Sequence, residues 1–255
     1  MQEHKNFWDK NAGRYDRFMR KDRAAYDEMY ELIRPVVRHK TVLELATGTG
    51  LIAKHIVNAA AHIEATDASP EMIAEAKRDT RSAKLHFSVQ DMFRLPYANG
   101  SFDAVIVSNA LHIVPQPEKA LAEIHRVLKE GGHFCILFMA WLPDESIIAK
   151  TSEELVLKYN PGWTGGHMQR YIPAAPDEAA GLFEVEDALC YDLPVTFTRE
   201  SWHGRIKACR GIGASSLSGE EIETFEREHM AYLDTVPEVF DIPHFATILN
   251  LRKKS

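Results

Sequence analysis

Val42-Leu-Glu-Leu-Ala-Thr-Gly-Thr-Gly-Leu51 decides how the rest of the chain is read. An apolar run of strand length carries an acidic residue, Glu44, near its end, and two glycines, Gly48 and Gly50, stand just before a helix-like stretch. Glycine lets the backbone turn tightly and a ligand approach closely, and a helix that starts after such a turn offers N–H groups with no partner inside the helix. A glycine turn alone is weak evidence, because many strand-to-helix turns hold glycine for packing. Gly48-x-Gly50-x-x-Ala53 also satisfies the dinucleotide pattern, with Asp67 at about the 20-residue distance that pattern asks for.

Outward from this turn, residues 40–140 alternate strand-like apolar runs with amphipathic ones, the order that a parallel sheet with crossover helices requires. Strands are predicted at 41–45, 62–66, 85–89, 102–107 and 133–138, and helices at 51–60, 70–79 and 117–129. Ser69 suits an N-cap before Pro70, and Glu130-Gly131-Gly132 turns the third helix into the next strand. Residues 6–37 read as two aromatic-rich helices packed over the end of the sheet. Beyond Met139 a helix at 145–159, a loop at 160–166, a short helix at 176–182 and a strand at 184–196 follow. Helices at 198–209 and 218–233 lead to a last strand at 244–251. No repeat or low-complexity linker divides the chain, so 1–255 reads as one α/β domain. Its expected parts are an N-terminal helical lid at 1–37, a cofactor-binding core at 40–140, and substrate-cap insertions at 141–182 and 197–243.

The 255 residues are ample for one sizeable core, and 45% hydrophobic with 26% charged residues is ordinary globular composition. The formal charge of -7 weighs against a nucleic-acid or acidic-membrane partner. Arg14, Arg17, Arg20, Lys21 and Arg23 are interleaved with Asp16 and Asp22, a solvated helical face rather than a basic patch. The three cysteines, Cys135, Cys190 and Cys209, have no metal or redox spacing and read as reduced packing residues; no metal is expected. With neither an N-terminal apolar segment nor a run long enough to span a membrane, a cytoplasmic location is expected. Oligomeric state is not legible.

What separates the possible ligands of the glycine turn is a set of acids at successive strand ends. Glu44 would repel a pyrophosphate but welcome the ammonium of an amino-acid cofactor. Asp67 suits ribose hydroxyls, and Asp91, after the third strand, suits the exocyclic amine of adenine.

These stretches, with Ala65-Thr-Asp-Ala-Ser-Pro-Glu-Met72, Val89-Gln-Asp-Met92, Ser101-Phe-Asp-Ala-Val-Ile-Val-Ser-Asn109 and residues 121–132, resemble the class I S-adenosylmethionine-dependent methyltransferases. The resemblance is to the small-molecule group (methyltransferase type 11) that includes the ubiquinone and menaquinone biosynthesis enzymes, and covers about 100 residues. It implies a Rossmann-like, doubly wound, mostly parallel sheet with helices on both faces and an antiparallel last strand beside the fifth. It implies S-adenosyl-L-methionine as cofactor and a small-molecule methyl acceptor. Position by position it puts Glu44, Ala46, Gly48 and Gly50 around the methionine part, Asp67 on the ribose, Ala68 and Met72 beside the adenosine, Asp91 and Met92 at the adenine, and Asn109 near the sulfonium. Tyr15 resembles the N-terminal tyrosine that closes over the cofactor's carboxylate. Ala46 departs from the family, which often has a further glycine there.

Methyl transfer from a sulfonium needs chiefly in-line positioning, and a base only if the acceptor must lose a proton early. His112, three residues past Asn109, is the candidate base, against the alternative of a histidine that merely shapes the pocket. Trp141 after the fifth strand, and Trp202, His203, Arg205 and Arg210 in the late segment, are candidate pocket-wall residues, with either arginine able to hold a carboxylate bidentately. The competing readings are a nicotinamide-dependent oxidoreductase, a non-catalytic S-adenosylmethionine-binding protein and a macromolecule methyltransferase.

Overall fold

Short apolar runs that lie between helices on both faces must be apolar on both sides, and Thr41–Leu45 and Phe102–Ser108 meet that condition with nearly every residue buried. The computed structural model describes residues 12, 23–171, 174–213 and 215–254. In chain order the elements are α1 (Arg23–Val37), β1 (Thr41–Leu45), α2 (Leu51–Ile56), β2 (His62–Asp67), α3 (Pro70–Arg78), β3 (Leu85–Val89), β4 (Phe102–Ser108), α4 (Pro117–Val127), β5 (Leu128–Trp141), α5 (Ile147–Tyr159), β6 (Phe183–Thr198), α6 (Arg199–Lys207), α7 (Gly219–Leu233) and β7 (Val239–Lys253). Single 3-10 turns lie at Leu111–Ile113, Pro143–Glu145 and Asp177–Ala179.

The seven strands form one sheet in the order β3-β2-β1-β4-β5-β7-β6. β1 to β5 pair in parallel, and β7 runs antiparallel between β5 and β6, as expected for the last strand. The strand order reverses at β1 and β4, so their carboxyl ends open a crevice, the place where such sheets hold ligands. Val42, Ala104, Ile106 and Leu137 face one core together with α1 to α3 and α5 to α7. Leu43, Leu45, Val105, Val107 and Phe134 face a second core against Leu121, Ile124 and Val127 of α4.

Several boundaries differ from the sequence reading, each for a local reason. Ser69 does cap α3, its hydroxyl accepting from the Met72 amide at 3.1 Å with Pro70 in the first turn. α4 ends at Val127, before Glu130-Gly131-Gly132, and the glycines sit inside β5, where Gly131 takes φ 67 and the register against β4 shifts. The short helix expected at 176–182 is one 3-10 turn. Of the two N-terminal helices, α1 is described; the first helix, its basic stretch and Tyr15 lie outside the described residues.

Candidate functional site

β1 runs into the glycine turn through residues that all leave ordinary β geometry. Ala46 takes φ 52, Gly48 φ 58 and Gly50 φ 78, three left-handed positions in five residues. Gly50 is required by packing: a Cβ there would lie 2.5 Å from Cζ of Phe87, the β3 residue that fills the space under the turn. Ala46 pays the left-handed strain with a side chain present.

The turn encloses polar atoms that the protein leaves without partners. Glu44 is 2% exposed, and its Oε2 makes no hydrogen bond; the same holds for the buried hydroxyls of Thr47 and Thr49. Burial pushes the Glu44 carboxyl from 4.5 up to about 8, against a smaller pull from the Thr47 side chain and the Ala53 backbone, with the Asp67 carboxylate adding to the rise. Orphaned buried groups cost stability unless something fills the site. A buried carboxyl with an unpartnered Oε2, beside two unpartnered buried hydroxyls, fits an ammonium-bearing ligand. Thr47 and Thr49 were not singled out from sequence; hydroxyls flanking the glycines next to an acidic strand end were the available signal.

Asp67, at the end of β2, braces the turn from the other side. Its Oδ2 accepts from the Gly48 amide and its Oδ1 from the Ser69 amide, both at 2.9 Å. Ala68 beside it is exposed, whereas Met72 is 2% exposed, leaving little of that side chain to offer a ligand. Asp91 is exposed with Oδ1 on the Phe93 amide at 2.9 Å, and Met92 is half-buried against the second core. Asn109, at φ 50 just past β4, donates its amide to Leu137 O at 2.9 Å and accepts from the Met139 amide at 3.0 Å. It ties the carboxyl end of β4 to β5, and asparagine tolerates that left-handed geometry well.

His112 lies in the 3-10 turn after β4, edge-on to Phe138 with ring centroids 5.2 Å apart. Crowding by the chain, then the nearby Arg210 guanidinium, hold its imidazolium below the usual range although the ring still reaches solvent. Both effects favour the neutral imidazole. His112 and Phe138 line a cavity of about 330 Å³ with Tyr171, Glu178, Thr247 and Leu249, of which only His112 was expected at a site. A more open depression of about 540 Å³ around Asn99, Arg126 and Lys129 lies at the opposite ends of the strands, away from the glycine turn.

The late-chain candidates separate. Trp202 is not a wall residue: it is fully buried, and its indole N–H donates to Ser152 Oγ at 2.9 Å. His203 is likewise turned to a structural partner, Nδ1 lying 2.9 Å from Nδ1 of His229, whose Nε2 is 2.9 Å from Ser152 Oγ. Trp141 is 7% exposed and donates to Glu153 Oε1 at 2.5 Å, while Arg205 lies over its ring, 4.9 Å from the centroid. Arg210 is exposed near His112. Cys209 is buried with its thiol pushed up by burial, and so is Cys135, to about 12; both behave as packing residues. Among the described residues no cluster of metal-ligating side chains forms, and no helix is long and apolar enough to cross a membrane.

Residues 43–136 match the family described as a methyltransferase domain. A demethylmenaquinone methyltransferase of Thermus thermophilus is 32% identical over 158 residues, 59% of this chain and 70% of that relative. A ubiquinone/menaquinone biosynthesis C-methyltransferase of Desulfotalea psychrophila is 38% identical over 109 residues, 42% of this chain and 44% of that relative. The chain thus spans most of the first and under half of the second. Among solved structures, the YcgJ protein of Bacillus subtilis superposes with a TM-score of 0.53 at 18% identity, over 89% of this chain and 98% of that one. The [4+2]-cyclase SpnF does so with 0.54 at 19% identity, over 90% and 81%. At these identities the structures establish the fold alone.

Proposed function

Because the chain belongs to the class I S-adenosylmethionine-dependent methyltransferases, in the group of the ubiquinone and menaquinone biosynthesis enzymes, we propose that it transfers a methyl group directly, in line, to a small-molecule acceptor. The observation that carries the reading is the buried, unpartnered Glu44 Oε2 beside the unpartnered Thr47 and Thr49 hydroxyls. A dinucleotide's pyrophosphate would meet a carboxyl there; an amino-acid ammonium meets acceptors. The relatives reported above are methyltransferases, and nothing in them favours the nicotinamide alternative.

S-adenosylmethionine supplies, when bound, an electrophilic methyl on a sulfonium, so the protein's work is orientation. Glu44, Thr47 and Thr49 take the ammonium, and Ala46, Gly48 and Gly50 let the amino-acid part approach the backbone. Asp67 accepts from the ribose, Ala68 flanks the adenosine, and Asp91 and Met92 meet the adenine. Asn109 holds the ends of β4 and β5 at a fixed spacing below the reacting end. The insertions 141–182 and 197–243 cover the acceptor. His112, whose surroundings favour the neutral ring, can take a proton from an acceptor that must lose one.

The test is transfer from S-[methyl-³H]adenosylmethionine into fractionated extracts. The reading expects label in the low-mass organic fraction; label confined to protein or nucleic acid overturns the small-molecule assignment. His112→Ala is expected to lower kcat with little change in KM for the cofactor, and full turnover in that variant removes the base role.

A further inference from the structure

We propose that the acceptor carries a carboxylate and that Arg205 is the residue that grips it. The inference rests on the methyltransferase reading for its location, but its evidence is separate. The other half-buried arginines of the described chain are all compensated. Arg34 pairs with Glu31, Arg126 with Glu123 and the carbonyls of Leu95 and Tyr97, and Arg199 with Val236 O, Asp234 and Glu238. Arg205 is half-buried and makes no hydrogen bond or ion pair among the described residues. Its guanidinium lies over the face of Trp141.

Stacking fixes the plane of a guanidinium but leaves its five N–H donors, which lie in that plane, without a protein partner and open to a ligand. The platform is rigid: Trp141 is pinned by its bond to Glu153 and by edge contact with the buried Trp202, ring centroids 5.5 Å apart. Glu153 does not serve as the missing anion. Its oxygens take the Trp141 indole and the His167 amide at 2.8 Å, and burial raises its pKa. His244, also near Arg205, is held neutral, chiefly by burial, at about 4.

The Trp141 platform lies at the carboxyl end of β5. Trp141 ends β5, two residues past Met139, whose amide Asn109 holds at the end of β4. Arg210, without an ion pair or hydrogen bond among the described residues, adds positive charge near His112, in a chain whose net charge is -7. A fork of two parallel donors matches a planar carboxylate, and one half-buried guanidinium balances one negative charge.

The experiment compares matched pairs of small aromatic acids and their primary amides, benzoate with benzamide and the hydroxybenzoates with their amides. Each pair is measured by ligand-observed NMR for binding, and by S-adenosylhomocysteine release for turnover, on wild type, Arg205→Gln and Arg205→Lys. Wild type is expected to prefer acids over amides by about tenfold or more, a gap of ~1.4 kcal/mol. The preference should vanish in Arg205→Gln and weaken in Arg205→Lys, with S-adenosylhomocysteine affinity unchanged in both. Absence of any acid preference in wild type overturns the proposal, as does its survival in folded Arg205→Gln. Failure of the methyltransferase reading would look different: no binding of S-adenosylhomocysteine by wild type, with the acid preference still removed by Arg205→Gln.

Discussion

Glu44 is a residue that the free protein holds at a cost and that a bound cation would relieve. Because its carboxyl titrates near 8 when folded and near 4.5 otherwise, the folded state holds the extra proton between those values. The free protein therefore loses stability as pH rises through that window. Glu44→Gln is expected to be more stable than wild type at pH 8, with the difference shrinking toward pH 4.5, and to bind S-adenosylhomocysteine more weakly. Denaturant midpoints at the two pH values and a calorimetric titration check both halves. Ala46 carries a different cost, a side chain at φ 52. Ala46→Gly should raise the unfolding free energy by ~1 kcal/mol, read as a higher denaturation midpoint at unchanged slope. Glu44 and Asp67 were legible as a pair because strand ends of one parallel sheet share an edge. Thr47 and Thr49 were not, because whether a hydroxyl in a turn is buried depends on how the turn closes.

A buried chain of hydrogen bonds links the three cap helices. Ser152 of α5 accepts from Trp202 of α6, donates to Ile148 O at 2.8 Å, and meets His229 of α7, which meets His203 of α6. Burial first, then Lys207, depress His203 to about 4; burial first, then His203, depress His229 to about 3. Lowered histidine pKa values mean that the unfolded chain binds more protons below 6.5, so stability from this pair is complete above 6.5 and is lost as pH falls toward 4 and 3. The thermal midpoint is expected to drop steeply over that range, and less steeply in His203→Gln. Ser152→Ala, which strands the Trp202 donor and a His229 nitrogen, should cost about 1–3 kcal/mol. None of this was visible from sequence: α6 has almost no apolar stripe, so nothing marked Trp202 as core. β6 was predicted two residues short at its far end and one at its start, because Pro194 and the charges at Glu184, Asp187 and Asp192 break the pattern. As an edge strand it tolerates the proline, which faces Pro243 just past the point where β5 stops pairing with β7.

At the scale of the molecule, the family match covers only part of the chain. The matched residues, 43–136, contain the glycine turn, Asp67, Asp91 and Asn109. Arg205, Trp141 and the cap lie beyond them. The sheet and its glycine turn were legible because buried parallel strands and such turns repeat a few physical solutions. The acceptor side was not, because it is built from contacts between distant segments such as Trp141, Glu153 and Arg205. The fold alone would not decide the chemistry, since a [4+2]-cyclase shares it. The most direct test of the central claim is calorimetric titration of wild-type protein with S-adenosylhomocysteine and, separately, with NADH. The glycine turn and Glu44 predict stoichiometric binding of S-adenosylhomocysteine, accompanied by proton release at pH 7, and no binding of NADH. Binding of NADH with none of S-adenosylhomocysteine would contradict it.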